Sequence, residues 1–258
     1  MANRKLGDLR EIRIIGIKGI KMIEEGDDLV NITIDAARSQ DTPIRNGDIV
    51  VVTSKAVSKA EGRIFRLQDV KTSTMAEIVA EETGKEPQHV QTILGEAKRI
   101  IRLVGHHLIT ETRTGLIVAN SGVDLSNVDG GQSVVALPKE PDVSARRLRT
   151  AFRRHGLNVG IIVTDTHGRP FRRGDINIAI GAAGITAIAD LRGKRDLHGY
   201  RLRVKQIAVA DELAGAAELA TGSADEAVPA VIIRGYNYRA SNKGAKILIR
   251  PLRQNLFL

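Results

Sequence analysis

The hydrophobic positions of this 258-residue chain fall into short runs with two different periods. Runs rich in Val and Ile that are too short for a helix predict buried strands, and they lie at 12–17, 48–53, 159–164 and 228–234. The segments HHLITET and GLIVANSG flank Arg113, Thr114 and Gly115, a spacing that predicts a hairpin leading into a loop at 120–127. The run INIAIGAAG is rich in small residues, which indicates close packing of its backbone.

Helical periodicity accounts for most of the other apolar segments. It predicts helices at 29–37, at 74–102 with an interruption near Gly84 to Pro87, in ARRLRTAFRRHG and in DELAGAAELAT. Strands and helices do not alternate regularly along the chain, as they would in a doubly wound sheet. We therefore expect an α+β fold of mixed sheets with flanking helices, in one domain over residues 1–258 that could contain two subdomains.

Composition narrows the classes of protein to consider. No apolar run approaches the ~18 residues of a membrane span, and the first residues lack the apolar stretch of a secretory signal. We therefore expect a cytoplasmic protein that does not enter a membrane. The chain has no cysteine, which excludes disulfides and thiolate chemistry. A bound metal would need oxygen or imidazole ligands, and Mg²⁺ or Mn²⁺ suits such ligands best.

The charge balance favours anionic ligands. Lys and Arg together number 39 against 30 Asp and Glu, a formal net charge of +9. Such a charge attracts phosphorylated small molecules or nucleic acid. Nucleic-acid surfaces usually carry aromatic side chains among their basic ones, but the few Phe and Tyr of this chain are scattered. Binding of nucleic acid or another polyanion is therefore the alternative, and not the preferred interpretation.

The first candidate site follows the predicted strand at 48–53. Neither a P-loop nor a GxGxxG fingerprint occurs in the chain, so any phosphate site must be of another kind. In VVTSKAVSKAEGR, Lys55 and Lys59 lie four residues apart and next to the hydroxyl of Ser54. Two ammonium groups at this spacing could bind one triphosphate, although exposed lysines are also common on any protein surface.

Two other segments carry carboxylates beyond predicted apolar runs. Asp124 and Asn127 lie in NSGVDLSNV, and Asp165 is followed by Thr166 in VTDTHGRPFRRGD. Carboxylates from separate loops, together with hydroxyl and phosphate oxygens, are the usual ligands of Mg²⁺ or Mn²⁺. Asp and Asn are also ordinary turn residues, so each segment alone has a structural explanation. Their coincidence with the lysine pair favours a metal–triphosphate site.

Two further segments offer groups for an anionic ligand. Arg169, Arg172 and Arg173 are dense enough to bind carboxylate or phosphate, and their alternative role is surface charge. The segment TGSADEAVP lies between a predicted helix and strand and offers backbone amides and two carboxylates. It could equally be an ordinary connection.

In this order, the segments resemble the coenzyme F420-0:L-glutamate ligase family. The match runs from about Gly16 to Gly235, over GIKMIEEGDDL, VVTSKAVSKAEGR, GVDLSNV, TDTHGRPFRRGDINIAIGAAG, VADELAGAAEL and AVPAVIIRG. The resemblance implies a GTP-dependent enzyme that joins L-glutamate to F420-0 through an acyl phosphate, with a second, γ-linked glutamate as a further step. It also implies a family-specific ligase fold and a cytoplasmic, intertwined homodimer. A γ-glutamyl ligase of the same fold with another carboxylate acceptor is the nearest alternative.

The resemblance also assigns roles to residues. Asp124, Asp165 and Lys59 would be catalytic, and the metal ligands would be Asp124, Asp165, Thr166 and Ser223. These ligands would hold two Mg²⁺ or Mn²⁺ ions, with K⁺ as a further candidate. The residues that would contact the nucleotide are Ile20, Lys21, Met22, Ile23, Ser54, Lys55, Lys59, Asn127, Thr221, Gly222, Ser223, Ala224, Asp225, Glu226, Ala227 and Val228.

Two positions depart from the family pattern. Many relatives carry a proline in the segment before Gly-Asp-Asp, where this chain has Lys21, a residue that adds a candidate phosphate contact. At position 223 the family commonly carries Gln, whereas Ser223 is shorter. We therefore treat Glu226 as a hypothetical replacement for that amide oxygen.

Overall fold

The computed structural model describes residues 11–126, 129–222 and 224–255. The strands are β1 (Arg13–Gly16), β2 (Ile49–Thr53), β3 (Ile64–Arg66), β4 (Ala97–Val104), β5 (His107–Thr112), β6 (Ile117–Ala119), β7 (Ser133–Val135), β8 (Gly160–His167), β9 (Ile176–Ala183), β10 (Ala189–Asp190), β11 (Gln206–Ile207) and β12 (Ala230–Arg234). The α-helices are α1 (Leu29–Ser39), α2 (Ser54–Ala60), α3 (Thr74–Thr83), α4 (Pro87–Glu96), α5 (Pro141–Arg154) and α6 (Val209–Thr221).

The predicted α+β class is confirmed, and so are most of the predicted elements. The four apolar runs correspond to β1, β2, β8 and β12, and the hairpin is formed by β5 and β6. Two predictions are wrong. Residues 97–102 lie in β4 and not in a helix, and β8 continues beyond Thr164 to His167. The β4 segment, AKRIIRLV, is extended because it pairs with β5, a tertiary contact that overrides its helical periodicity.

A five-stranded sheet in the order β1-β12-β2-β8-β9 organises the fold. β2 and β8 are parallel, whereas the other neighbouring pairs in this sheet are antiparallel. The carboxyl ends of β1, β2 and β8 therefore lie at the same edge of the sheet as the amino end of β12. The loops that leave or enter the sheet at this edge contain most of the predicted site residues.

The sheet is buried on both faces. Val50 and Val52 of β2 pack with α1 and with Phe152 of α5, whereas Ile49 and Val51 pack on the other face with α6. This is why β2 is a continuous apolar run and not an alternating one. A third cluster joins α3 and α4 to β5 and the segment around β7.

Close backbone packing of the small-residue run is confirmed at Gly181 of β9. A Cβ atom there would overlap the backbone carbonyl of Pro141, at the start of α5. Glycine thus lets α5 lie directly against the sheet. Among the described residues, no helix is both long enough and apolar enough to cross a bilayer.

An ion pair fixes β2 relative to β12 at the end of the sheet opposite the candidate site. Arg234 donates from Nε to Asp48 Oδ1 at 2.9 Å and from Nη2 to Oδ2 at 2.7 Å, and the Asp48 side chain is 3% exposed. Arg45 N also donates to Asp48, at 2.7 Å. Bidentate geometry and burial make this pair structurally important.

We predict that Arg234→Ala lowers the free energy of unfolding by about 3 to 5 kcal/mol, because it leaves the carboxylate of Asp48 buried without its cation. Urea denaturation measures the change. The control is Arg13→Ala, which removes the exposed partner of Glu11 and should change little. Equal effects of the two substitutions would contradict the prediction.

Candidate active site

Four segments converge at the edge of the sheet where β1, β2 and β8 end. Their relative positions are fixed by backbone pairing, since Thr53 lies beside Thr164 and donates its N–H to Pro229 O at 3.0 Å. On the other side of β12, Ile17 N donates to Ala230 O at 2.9 Å. The segments that follow β1, β2 and β8 therefore lie next to the segment that precedes β12.

Helix α2 begins directly where β2 ends. Thr53 caps it, with an extended backbone and a side chain that accepts from Ala56 N. The predicted strand at 48–53 is confirmed by β2, and the lysine-bearing segment that follows it is a helix. A helix at this point turns the side chains of Ser54 and Lys55 toward two different carboxylates.

Those two carboxylates are Asp165 and Asp124. Ser54 Oγ donates to Asp165 Oδ1 at 2.5 Å, and Lys55 Nζ donates to Asp124 Oδ2 at 2.7 Å. Consecutive residues of one helix thus contact carboxylates that are 41 positions apart in the sequence. The two predicted acidic segments therefore meet at the start of α2.

The loop that carries Asp124 has an uncommon backbone. Asn120, Ser121 and Gly122 have φ angles of 52°, 54° and 69°, in the left-handed region that non-glycine residues seldom adopt. Buried contacts hold them there, because Ser121 N donates to Thr110 Oγ1 at 2.9 Å and its hydroxyl donates to Ile93 O at 3.0 Å. Strained residues of this kind persist where the surrounding structure fixes them, commonly near functional sites.

A short ladder then orients Asp124 itself. Its N–H and carbonyl both pair with Val135 of β7, each at 2.9 Å. Ser126 donates to the carboxylate from its N–H at 2.9 Å and from its hydroxyl at 2.7 Å, and it also accepts from Lys55. Sequence reasoning missed Ser126 and Ser121, although a serine two residues after an Asp is a recognisable turn signal.

The two carboxylates have different electrostatic surroundings. Burial raises the pKa of Asp165 to about 6, and the negative charge of Asp124 adds to the rise against the Ser54 hydrogen bond and the Lys55 charge. Burial also acts on Asp124, but the hydrogen bonds from Lys55 and Ser126 outweigh it and lower its pKa. Asp165 therefore takes up a proton at a higher pH than Asp124.

Lys59 is almost fully buried one turn further along α2. Its Nζ lies 3.6 Å from Met22 Sδ, and burial, with the nearby charge of Lys55, lowers its pKa. Ile20 and Ile23 pack in the same core cluster as Ala56 and Val57 of α2, so the segment 20–23 lies beside this lysine. Lys21 is on the outside and pairs with Asp27 at 2.6 Å.

Thr166 lies apart from the carboxylate pair. Side chains alternate along β8, so Thr166 and Asp165 point to opposite faces, and the Thr166 hydroxyl donates to Asn177 Oδ1 at 3.1 Å. The structure therefore does not bring its hydroxyl to Asp165. His167 returns to the face of Asp165 and contacts Ile117 O through Nε2 at 3.1 Å.

The segment before β12 forms a compact turn next to the site. Gly222 ends α6 with a φ angle of 67°, and Ala224 N donates to Glu226 Oε2 at 2.9 Å. Ala227 also has a positive φ angle, of 52°. A Cβ atom at position 222 would overlap the Glu226 carboxylate, so Glu226 folds back onto the turn. Ser223 and Asn127, both predicted site residues, lie outside the described residues.

The remaining residues of that segment differ in exposure. Thr221 and Val228 are buried, whereas Asp225 is exposed. Among the predicted arginines, Arg169 donates to the backbone carbonyls of Gly174 and Arg173 and so shapes its own turn. Arg172 and Arg173 are exposed.

The donor set at the start of α2 suits a hard divalent cation. Asp124 and Asp165 offer carboxylate oxygens, the ligands that Mg²⁺ and Mn²⁺ prefer. Within the described ranges, no three His, Asp or Glu side chains are grouped so that they could hold a metal ion. An ion here would complete its coordination with water or phosphate oxygens, as Mg²⁺ commonly does.

Comparison with known proteins identifies the family of this chain. A sequence model of the family described as F420-0:Gamma-glutamyl ligase matches residues 16–235. Relatives named coenzyme F420:L-glutamate ligase include that of Methanothermobacter thermautotrophicus, which is 45% identical over 95% of this chain and 98% of its own length. The proteins of Methanopyrus kandleri and Methanocaldococcus jannaschii are each 41% identical, over 98% and 96% of this chain and 100% and 99% of their own lengths. The chain therefore belongs to the F420-0:gamma-glutamyl ligase family.

Proposed function

We propose that this protein forms an amide bond between L-glutamate and F420-0, using GTP and divalent metal ions. The observation that carries the proposal is the contact of Ser54 and Lys55 with the carboxylates of Asp165 and Asp124. The names of the relatives support the acceptor and the amino acid. The proposal keeps two further expectations of the family resemblance, a homodimer and a cytoplasmic location.

The reaction needs two transfers. A carboxylate does not react with an amine directly, so a carboxylate oxygen of F420-0 first attacks the γ-phosphorus of GTP. The bond from this phosphorus to the bridging oxygen breaks, and GDP leaves. The glutamate nitrogen then attacks the carbonyl carbon of the acyl phosphate, inorganic phosphate leaves, and the nitrogen loses a proton. A γ-linked second glutamate would be added by the same two transfers.

Different residues of the chain would have different roles in these two transfers. Asp124 and Asp165 would hold Mg²⁺ or Mn²⁺, which would neutralise charge on the triphosphate. Lys59, beside the segment 20–23, would bind the phosphates, and its burial removes competing water. Lys55 keeps Asp124 ionised and fixes its orientation. Positioning and electrostatics therefore carry most of the proposed catalysis.

One assay tests the proposal as a whole. The purified protein is incubated with F420-0, L-glutamate, Mg²⁺ or Mn²⁺, and either GTP or ATP, and the products are weighed by mass spectrometry. We expect F420-0 to gain one or two glutamyl residues and GDP to form in equal amount. GTP hydrolysis without a glutamylated product would contradict the proposal.

We predict that Asp165→Asn lowers kcat at least about 100-fold, because it removes a charged metal ligand from the site. The matched control is Asp35→Asn, on the exposed side of α1, which should keep full activity. Steady-state kinetics with saturating Mn²⁺ measures both, and circular dichroism checks the fold. Full activity of the Asp165 variant would refute the metal assignment.

We predict that Lys59→Met raises the KM for GTP about tenfold, because it removes a phosphate contact and keeps a side chain of similar length. The KM for glutamate should stay within about twofold of its original value. Lys71→Met, at an exposed position between β3 and α3, is the control. An unchanged KM for GTP in the Lys59 variant would show that this lysine does not bind the nucleotide.

A further inference from the structure

The ammonium group of Lys55 is enclosed by three oxygen atoms of the loop that carries Asp124. Its Nζ donates to Asp124 Oδ2 at 2.7 Å, to Ser126 Oγ at 2.9 Å and to Ser126 O at 3.0 Å. An ammonium group has three N–H donors and no acceptor. All three donors of Lys55 therefore have partners, so the side chain cannot bind a phosphate without leaving at least one of these oxygens.

The carboxylate of Asp124 is as fully engaged as the lysine. Its Oδ2 accepts from Lys55 and from the hydroxyl of Ser126, both at 2.7 Å, and its Oδ1 accepts from Ser126 N at 2.9 Å. A carboxylate oxygen has about two lone-pair directions for such contacts. A divalent cation that binds Oδ2 must therefore displace one of the two donors to this oxygen.

Electrostatic repulsion decides which of these two donors leaves. Lys55 carries a full positive charge and is ion-paired with Asp124, so a divalent cation at the same oxygen would repel it strongly. The hydroxyl of Ser126 is neutral and can rotate to present a lone pair to a cation. Departure of Lys55 leaves Asp124 Oδ2, Ser126 Oγ and Ser126 O grouped together, and oxygen atoms are the ligands that Mg²⁺ and Mn²⁺ prefer.

A second position for the Lys55 ammonium group lies toward Lys59. The two lysines are one helical turn apart on α2, so their side chains leave the helix on the same side. They are close enough that the charge of Lys55 contributes, after burial, to the lowered pKa of Lys59. The four-carbon stem of a lysine is flexible, and 27% of the Lys55 side chain is exposed. A rotation toward Lys59 would bring both ammonium groups to one triphosphate, whose negative charge would offset their mutual repulsion.

We propose that Lys55 exchanges partners during nucleotide binding, from the oxygens of Asp124 and Ser126 to the triphosphate, and that the metal ion takes its place with the Ser126 hydroxyl as a further ligand. The inference rests on the proposed function, and it adds a competition between a lysine and the metal ion. Metal and nucleotide then favour each other's binding, because the ion displaces Lys55 from the carboxylate and the phosphates accept it.

The first test is calorimetric titration with Mn²⁺ and no nucleotide, on the original protein, Lys55→Met and Lys59→Met. We expect Lys55→Met to bind Mn²⁺ at least about tenfold more tightly, because the ion no longer has to break a hydrogen-bonded ion pair. Lys59→Met removes the same charge one helical turn further along α2, so its Kd should stay within about threefold of the original. Thermal unfolding checks that both variants are folded.

The second test asks whether Ser126 is a ligand of the displacing ion. Ser126→Ala is introduced into the Lys55→Met variant, where loss of the hydroxyl can no longer act through Lys55. We expect this change to weaken Mn²⁺ binding at least about fivefold, because one oxygen ligand is lost. The matched control is Ser39→Ala in the same variant, at the exposed end of α1, which should leave the Kd unchanged. Equal effects of the two serine substitutions would remove Ser126 from the metal site.

Two results of the first test would overturn the exchange. One is unchanged or weaker Mn²⁺ binding by Lys55→Met, which would mean that the lysine does not compete with the ion. The other is an equal gain in both lysine variants, which would indicate general repulsion by positive charge. The titration contains neither F420-0 nor glutamate, so its outcome does not depend on ligation. If Lys55→Met gains affinity for Mn²⁺ but the original protein does not catalyse ligation, the exchange stands and the proposed function fails.

Discussion

The site depends on a single local feature, the direct passage from β2 into α2. Because the helix starts at the first residue after the strand, Ser54 and Lys55 diverge and contact Asp165 and Asp124 respectively. Asp124 lies on a loop and Asp165 on β8, and the first two residues of α2 connect them. Lys59 lies one turn later on the same helix. The position where β2 ends therefore sets the relative positions of Asp124, Asp165 and Lys59, which the proposed chemistry needs.

The sheet topology explains why these groups meet. β2 and β8 are parallel neighbours, which brings Thr53 level with Thr164 and places their following residues at one edge. Ligand sites commonly form at the carboxyl ends of parallel strands. Asp124 comes from outside this sheet, from a loop whose strained backbone is fixed by the buried hydroxyl of Ser121. The two regions meet where Ser54 and Lys55 contact the two carboxylates.

Sequence reasoning predicted the segments that meet at the candidate site but not the arrangement of their side chains. The apolar runs, the hairpin and the segments with Asp124, Asp165 and the lysine pair follow from local patterns, whereas β4 depends on pairing with β5 that a single segment does not encode. The orientation of Thr166 also does not follow from its local sequence. Because β8 continues through Thr166, its side chain points to the face of the strand opposite Asp165.

The central claim is that Asp124 and Asp165 act on the same bound ions. It is tested most directly by Mn²⁺ titration, followed by electron paramagnetic resonance in the presence of a non-hydrolysable GTP analogue. The original protein would be compared with Asp124→Asn, Asp165→Asn and the double variant. We expect each single substitution to weaken binding almost as much as both together, because the ligands form one unit. Losses of binding free energy that simply add would contradict a shared site.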